Sequence, residues 1–298
     1  MHFNKKNMLE LRKLTLDELC TYYMELRKYK YDSGISLKGI EIRKKIHKLL
    51  LTIVKIDRLI AKETVTVISD DRIKNENPKI YACTHIGGND IQRTFEAIKE
   101  PAYLFLGDPR GIYRDASGLL LFLNGVICLE TNNKEDRYIA SQRAVELLTA
   151  GGNLLIYPEG AWNVTDNLPV MKLYKGAVRM ARETGADIIP VAIEQYENDF
   201  FVAIGKNISM NNYNAFTIEE LNNELRDAMA SQKWKIWESI SKCKKYAGIP
   251  MSSSEFKQGI IDKCEYGFTL EDVYNTMYKD RNEVSEEEVF SFIKKLKY

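Results

Sequence analysis

His85 and Asp90 are the two residues whose types and spacing best suit catalysis in this sequence. His85 follows the apolar run Lys79–Thr84, which predicts a strand, and Asp90 opens a predicted helix. In open α/β sheets ligands bind beyond the carboxyl ends of strands, and Gly87 and Gly88 permit a tight turn there. Such a turn can return the Asp90 carboxylate to one imidazole nitrogen while the other accepts a proton. The pair predicts a general base, although this spacing alone is weak evidence.

A second polar group follows another predicted strand. The run Asn153–Tyr157 ends in Pro158, Glu159 and Gly160. Because proline and glycine fix an abrupt turn, the Glu159 carboxylate is expected at the same edge of the sheet as His85. A surface turn with an incidental glutamate is the alternative, and the combination with His85 makes it less attractive.

The other histidines and the cysteines suggest no metal or disulfide chemistry. His2 lies at the terminus, and His47 lies among lysines on a predicted helix, where a solvated polar face is expected. The five cysteines are widely spaced and include no Cys-x-x-Cys pair. We therefore expect no bound metal, no disulfide framework and a reducing compartment.

Secondary-structure elements must position these residues. From about residue 64 onward, short apolar runs alternate with longer amphipathic ones. This alternation predicts an α/β fold with a mostly parallel sheet covered by helices. Pro190 removes a backbone N–H donor from one predicted strand. We therefore expect it on an edge strand, at the first residue of a strand or at a bulge. The predicted strands are Lys79–Thr84, Ala102–Leu106, Val126–Glu130, Asn153–Tyr157, Ile188–Glu194 and Phe201–Ile204. The predicted helices here are Asp90–Lys99, Arg114–Leu123, Glu135–Ala150 and Leu173–Thr184.

The chain divides by pattern into three regions. Residues 1–63 are predicted to be an N-terminal helical pair, 64–244 the α/β domain, and 245–298 a helical C-terminal extension. The N-terminal pair covers residues 8–30, with a second start near Thr15, and residues 39–62. Helix starts are also predicted at Ser252–Ser254 and Ser285–Glu288.

The helix predicted over residues 39–62 has an apolar stripe formed by Ile42, Ile46, Leu49, Ile53, Ile56 and Ile60. Residues 1–62 carry 15 Lys and Arg against 7 Asp and Glu. A basic segment with such a stripe suits a helix lying on an anionic membrane, and an ordinary core-packing helix shows the same stripe. Both interpretations stay open.

Charge and hydropathy indicate which binding partners and which cellular location can be expected. The net charge of the whole chain is +1, and no nucleic-acid-binding motif is present, so nucleic acid is not expected as a partner. The start of the chain is polar, and the longest uncharged run, Ala116–Leu129, is short and interrupted. We expect a cytoplasmic protein, soluble or peripheral on the inner face of the membrane.

Four blocks in this order and spacing resemble the motifs of the lysophospholipid (glycerolipid) acyltransferase family, of the 1-acylglycerol-3-phosphate O-acyltransferase type. They are His85-x4-Asp90, Gly125–Thr131, Tyr157–Gly160 and Ile189–Ala192. The resemblance covers roughly residues 75–205, and its specificity comes from the order of the blocks.

The resemblance implies an acyltransferase of lipid metabolism and phospholipid biosynthesis. An acyl group would pass from acyl-CoA or acyl carrier protein to a hydroxyl or amine of a lipid or glycolipid acceptor, without a bound cofactor. His85 would be the base, Asp90 would orient it, and Glu159 and Gly160 would lie at the acceptor.

Two positions depart from the family pattern. Members that act on phosphate-bearing acceptors usually carry arginine at the end of the second block and after the Glu-Gly of the third. This chain has Thr131 and Trp162 there. Trp162 offers a flat apolar surface for a sugar or an acyl chain, whereas Arg137 could supply a replacement charge for a phosphate. The acceptor therefore stays open.

Two other functions remain as alternatives. A thioester or ester hydrolase would use water in place of the acceptor, although no Gly-x-Ser-x-Gly motif is present. The other alternative is a catalytically silent protein that binds membranes peripherally. The intact His85, Asp90 and Glu159 argue against it.

Overall fold

A seven-stranded sheet forms the centre of the protein in the computed structural model, which describes residues 3–107, 112–114, 116–165, 168–240, 253–263 and 267–279. The strand order is β1-β7-β6-β2-β5-β3-β4. Neighbouring strands are parallel except for the antiparallel pair β6 and β7. The strands are β1 (Thr64–Asp70), β2 (Lys79–Cys83), β3 (Tyr103–Gly107), β4 (Val126–Leu129), β5 (Leu154–Ile156), β6 (Asp187–Tyr196) and β7 (Asp199–Ile204). The predicted α/β fold class is confirmed.

Ten α-helices are found among the described residues, together with a short 3-10 helix, Met210–Tyr213. The helices are α1 (Met8–Lys13), α2 (Leu16–Asp32), α3 (Ile40–Ile60), α4 (Asp90–Ile98), α5 (Ala116–Asn124), α6 (Lys134–Thr149), α7 (Gly176–Thr184), α8 (Ile218–Ser239), α9 (Ser253–Ile261) and α10 (Leu270–Thr276). Within the described part of the chain, no helix combines the length and apolar character that a membrane span needs.

Strand β2 lies between β6 and β5 and is buried along its whole length. Its side chains alternate between two cores. Ile80 and Ala82 pack with α6, α7 and α8 on one face, and Tyr81 and Cys83 pack with α4 on the other. A parallel strand covered on both faces is apolar over most of its length, which explains the apolar residues Ile80–Cys83 before His85.

Strand β1 (Thr64–Asp70) is missing from the sequence prediction. It lies at the sheet edge, where half of its side chains meet water, so it lacks the apolar run that marks the internal strands.

Pro190 lies inside the internal strand β6, at an irregularity of its antiparallel pairing. Ile188 pairs with Ile208, whereas Val191 pairs with Ile204, so the register changes by one residue across the proline, as the predicted bulge requires. The missing N–H of Pro190 falls in this irregular stretch.

The helix α3 presents most of its apolar stripe outward, and its inner face mixes polar side chains with apolar ones such as Leu50 and Leu51. His47 is buried and its Nδ1 lies 2.6 Å from Asn124 Oδ1, so the expected solvated face for His47 is wrong. The stripe residues that remain exposed are Ile42, Leu49, Ile53, Ile56 and Ile60.

The C-terminal extension is helical where the structure describes it. Ser253 begins α9, as predicted, and the predicted start at Ser285–Glu288 lies outside the described residues. Helices α9 and α10 pack in one cluster with Ala161, Val164 and Met171. The boundary at residues 244 and 245 also falls outside the described residues, so the three-region division stays a prediction.

Candidate active site

His85 and Asp90 form a hydrogen-bonded pair beyond the carboxyl end of β2. His85 Nδ1 lies 2.7 Å from Asp90 Oδ2, and the same oxygen accepts the backbone N–H groups of Ile86 at 2.8 Å and Gly87 at 3.0 Å. Three donors on one oxygen fix the carboxylate. The Asp90 side chain is 1% exposed and that of His85 is 17% exposed, so the pair is shielded and the imidazole is still reachable.

The turn between them depends on its two glycines. Gly87 has φ +85° and Gly88 has φ +60°, a region that side chains with a Cβ adopt at a cost. A Cβ on Gly87 would also lie 3.3 Å from a methyl carbon of Ile260. The tight turn brings the backbone of Ile86 and Gly87 onto Asp90, so these two N–H groups are committed to the carboxylate rather than to an oxyanion.

Two aromatic rings surround the imidazole of His85. Tyr157 stacks on it with ring centroids 4.3 Å apart, and Trp162 meets it edge-on at 6.0 Å. The Tyr157 hydroxyl donates to Thr94 of α4 at 3.4 Å. The sequence showed Tyr157 as the first residue of the third block, but not its contact with the histidine, which depends on β2 and β5 being neighbours.

Glu159 is fully buried and joins two backbone segments. Its Oε1 accepts the N–H of His85 at 3.1 Å, and its Oε2 accepts the N–H of Met171 at 2.8 Å. The carboxylate therefore supports the loop that carries His85. Its predicted role in binding the acceptor stays a prediction.

Gly160 occupies a position that a larger residue could not. Its φ is +73°, and a Cβ there would lie 2.4 Å from the ring of Tyr174 and 3.3 Å from the carbonyl oxygen of Thr276. Tyr174 in turn donates its hydroxyl to the Thr276 carbonyl at 2.8 Å. The glycine lets the turn after β5 meet the C-terminal extension.

Thr131 lies near one edge of the sheet. It follows β4, the edge strand, and β5 and β3 separate β4 from β2. At about 4.8 Å per strand, β4 lies roughly 14 Å from β2.

Arg137 lies between Thr131 and the site. A guanidinium nitrogen of Arg137 donates to the Thr131 carbonyl, and its charge opposes the rise that burial causes in the pKa of Tyr174, the residue beside Gly160. The structure thus brings together His85, Asp90, Glu159, Gly160 and Trp162, and Thr131 lies apart from them.

Two other ionisable groups near His85 are unsuited to nucleophilic or base roles. Burial raises the pKa of the Tyr157 hydroxyl well above its usual value, and Asp90 and Cys83 raise it further. Burial likewise raises the pKa of the Cys83 thiol. A protonated, enclosed thiol is a poor nucleophile. The described residues contain no cluster of three or more His, Cys, Asp or Glu side chains suited to a metal ion.

Comparison with known proteins finds similarity to acyltransferases. The acyltransferase family model matches residues 64–194. A 1-acyl-sn-glycerol-3-phosphate acyltransferase of Borreliella burgdorferi is 32% identical over 93 residues, 31% of this chain and 35% of that protein. One of Chlamydomonas reinhardtii is 23% identical over 130 residues, 43% of this chain and 38% of that protein. The chain thus spans little more than a third of the length of these curated relatives.

The fold is shared with a solved structure, the 1-acyl-sn-glycerophosphate (LPA) acyltransferase of Thermotoga maritima. The match has a TM-score of 0.54 and 15% identity, and covers 74% of this chain and 92% of that one. This likeness shows a shared α/β fold. Residues 64–194, a little under half of the chain, match the acyltransferase family model, and the curated proteins that the chain resembles are 1-acyl-sn-glycerol-3-phosphate acyltransferases.

Proposed function

We propose that this protein transfers a fatty acyl group from an acyl thioester, acyl-CoA or acyl carrier protein, to a hydroxyl or amine of a lipid or lipid-like acceptor. The observation that carries the proposal is the 2.7 Å contact between His85 Nδ1 and Asp90 Oδ2, which leaves Nε2 to accept a proton. The carboxylate holds the ring and stabilises the imidazolium that forms during the reaction.

The reaction is a direct transfer. His85 Nε2 removes the proton of the acceptor hydroxyl as its oxygen attacks the thioester carbonyl carbon. The tetrahedral intermediate then collapses, the C–S bond breaks, and the thiolate leaves and recovers the proton from His85. Such general-base assistance contributes about 10²- to 10⁴-fold in rate. The acceptor is a lyso-lipid or glycolipid, with Trp162 as an apolar surface beside the reacting groups.

The matching test is a thiol-release assay with both donors against a panel of lysophospholipids, glycolipids, sugars and amines. We expect release that depends on an acceptor and falls by at least about 10²-fold in His85→Ala and Asp90→Asn proteins. Circular dichroism checks that both variants fold. Release of fatty acid without any acceptor would indicate a hydrolase instead. Equal release by His85→Ala would overturn the mechanism.

We further propose that the protein contacts the cytoplasmic surface of the membrane through its N-terminal helices. The exposed stripe on α3 supports this, because its five side chains are between 41% and 77% exposed. Leu119 and Leu123 of α5, which packs against α3, are exposed as well and enlarge the apolar surface. The excess of Lys and Arg in residues 1–62 favours an anionic lipid surface.

A further inference from the structure

Helix α4 carries Asp90 in its first turn, and it is fastened to the end of α3 by buried charges. Arg93, one turn after Asp90, is fully buried. Its Nε donates to Glu63 Oε2 at 2.6 Å, and its Nη2 donates to Asp57 Oδ2 at 2.8 Å. A buried guanidinium must be paired in this way, since an unpaired charge in the interior is strongly destabilising.

The other oxygen of Glu63 reaches the residue next to Asp90. Asn89 Nδ2 donates to Glu63 Oε1 at 2.9 Å. Asn89 is the N-cap of α4, a position where an asparagine side chain usually accepts a backbone N–H of the first turn. Here it makes no such bond. Its side chain is turned outward to Glu63 instead.

The backbone before Glu63 is shaped to allow this contact. Lys62 has φ +55°, a left-handed conformation that costs a residue with a Cβ about 1 kcal/mol or more. The turn ends α3 and directs Glu63, whose side chain is 10% exposed, back toward α4. A strained residue at this point is maintained by the contacts that follow it.

We propose that Glu63 is a positioning residue for the His85–Asp90 pair, acting through Asn89. Glu63 is held by Arg93 and holds the side chain of Asn89, so it fixes the first turn of α4. Asp90 Oδ2 must meet three donors within 3.0 Å at once. A small displacement of the helix start therefore breaks the catalytic pair, and misplacements of about 1 Å cost up to 10²-fold in rate. The catalytic part of this inference rests on the proposed acyl transfer.

A neighbouring ion pair supplies a matched control. Arg58 of α3 donates to Glu96 of α4 at 2.9 Å and 3.1 Å, and the Glu96 side chain is 9% exposed. Glu96→Ala therefore removes an ion pair near the same two helices without touching Asn89; its carboxylate is as buried as that of Glu63, and its arginine is 22% exposed where Arg93 is fully buried. A merely structural role for Glu63 predicts that any loss of kcat follows the loss of stability in both alanine variants.

The experiment measures kcat, KM and thermal stability for Glu63→Ala, Asn89→Ala, their double variant, Glu63→Gln and Glu96→Ala in the full-length protein. We expect Glu63→Ala and Asn89→Ala each to lower kcat by about 10- to 100-fold with little change in KM. The double variant should lower kcat no further than Glu63→Ala, because that variant already removes the contact with Asn89. In Glu63→Gln the amide oxygen can stay on Arg93 while Asn89 turns its own amide over and accepts the new N–H with its oxygen, so most of kcat should be recovered. Glu96→Ala should lose stability and keep kcat within about threefold of wild type.

A second measurement does not depend on turnover. The imidazole signals of His85, assigned with His85→Ala, report its hydrogen bond to Asp90 by nuclear magnetic resonance. They should change in Asn89→Ala and Glu63→Ala and be unchanged in Glu96→Ala. If the wild-type protein shows no acyl transfer, the proposed function fails while this readout still tests the positioning role. Wild-type His85 signals in Asn89→Ala, or an equal loss of kcat in Glu96→Ala, would overturn the inference.

Discussion

The carboxylate of Glu159 contributes to the site by what it accepts from the backbone. One oxygen receives the N–H of His85 and the other the N–H of Met171, and the whole side chain is buried. The loop after β2 and the segment after β5 are thereby held at a fixed distance. Glu159 therefore supports the backbone at His85, while Asp90 contacts the imidazole ring.

Replacing Glu159 by glutamine should therefore harm both stability and activity. The amide presents an N–H to one of the two backbone donors, so a buried donor is left without an acceptor. We expect a loss of about 1–3 kcal/mol in the free energy of unfolding and a lower kcat in the thiol-release assay. Urea denaturation measures the first effect.

Glu135→Gln is the control for this change, because Glu135 pairs with Lys28 at the protein surface. Its loss should stay within about 0.5 kcal/mol. Wild-type stability of Glu159→Gln would show that the carboxylate does not hold both backbone segments.

At the scale of elements, α3 shows what a helical pattern does and does not predict. The stripe of isoleucine and leucine was evident from the sequence, but the pattern is the same for a helix in a core and for one on a membrane. The structure resolves the orientation through polar contacts. Arg43 donates to the carbonyl oxygen of Phe122, His47 meets Asn124, and Arg58 meets Glu96.

The exposed stripe predicts a specific loss of membrane binding. Leu49→Ser/Ile56→Ser removes two apolar side chains, each worth up to about 1.5–3 kcal/mol when fully buried. We expect at least tenfold weaker co-sedimentation with vesicles of anionic lipid, unchanged thermal stability, and unchanged transfer to a water-soluble acceptor. Higher salt should weaken binding of the wild-type protein further.

The control for the stripe is a pair of exposed apolar residues elsewhere. Ile73→Ser/Tyr138→Ser changes side chains that are 60% and 56% exposed on other parts of the surface. Vesicle binding equal to wild type is expected for this variant. If both double variants lose binding equally, the stripe is not the contact surface.

The site could be predicted from the sequence as far as local turns determine it. His85 and Glu159 each come soon after a strand, and Asp90 begins the helix that follows His85, so their shared edge could be inferred from parallel pairing. Thr131 follows a strand too, yet its distance from His85 depends on β5 and β3 lying between β4 and β2. Strand order is set by packing over the whole sheet and cannot be predicted from any one segment of the sequence. The contact of Asn89 with Glu63 is equally non-local.

At the scale of the whole molecule, segments from distant parts of the chain meet at the loop between β2 and α4. Glu63 comes from the end of the N-terminal helices, and Ile260 comes from α9 and lies against Gly87. Phe268 stacks edge-on against Trp162 at 5.7 Å. Glu63, Ile260 and Phe268 all lie outside residues 64–194, the part that the family model matches. The parts of the chain that differ from the family core therefore form part of the wall beside His85.

The buried histidine of α3 makes the stability of the whole protein depend on pH. Burial lowers the pKa of His47 below its usual 6.5, more than the hydrogen bond with Asn124 raises it. In the unfolded chain His47 binds a proton near pH 6.5, whereas in the folded protein it remains neutral until a lower pH. The unfolded state therefore binds more protons in this interval, and the free energy of unfolding must fall as the pH falls below about 6.5, by at most about 1.4 kcal/mol per pH unit.

His47→Gln isolates this effect, because glutamine can still hydrogen-bond with Asn124 and does not titrate. Urea denaturation of both proteins from pH 8 to pH 5 should show the wild type losing stability relative to the variant below pH 6.5, with a constant difference above it. His85 and the carboxylates are common to both proteins and cancel in the difference. A difference that stays constant over the whole range would mean that His47 is protonated equally in the folded and unfolded states. The loss would arise where α3 packs on α5, because a charged His47 is unfavourable in the buried contact with Asn124.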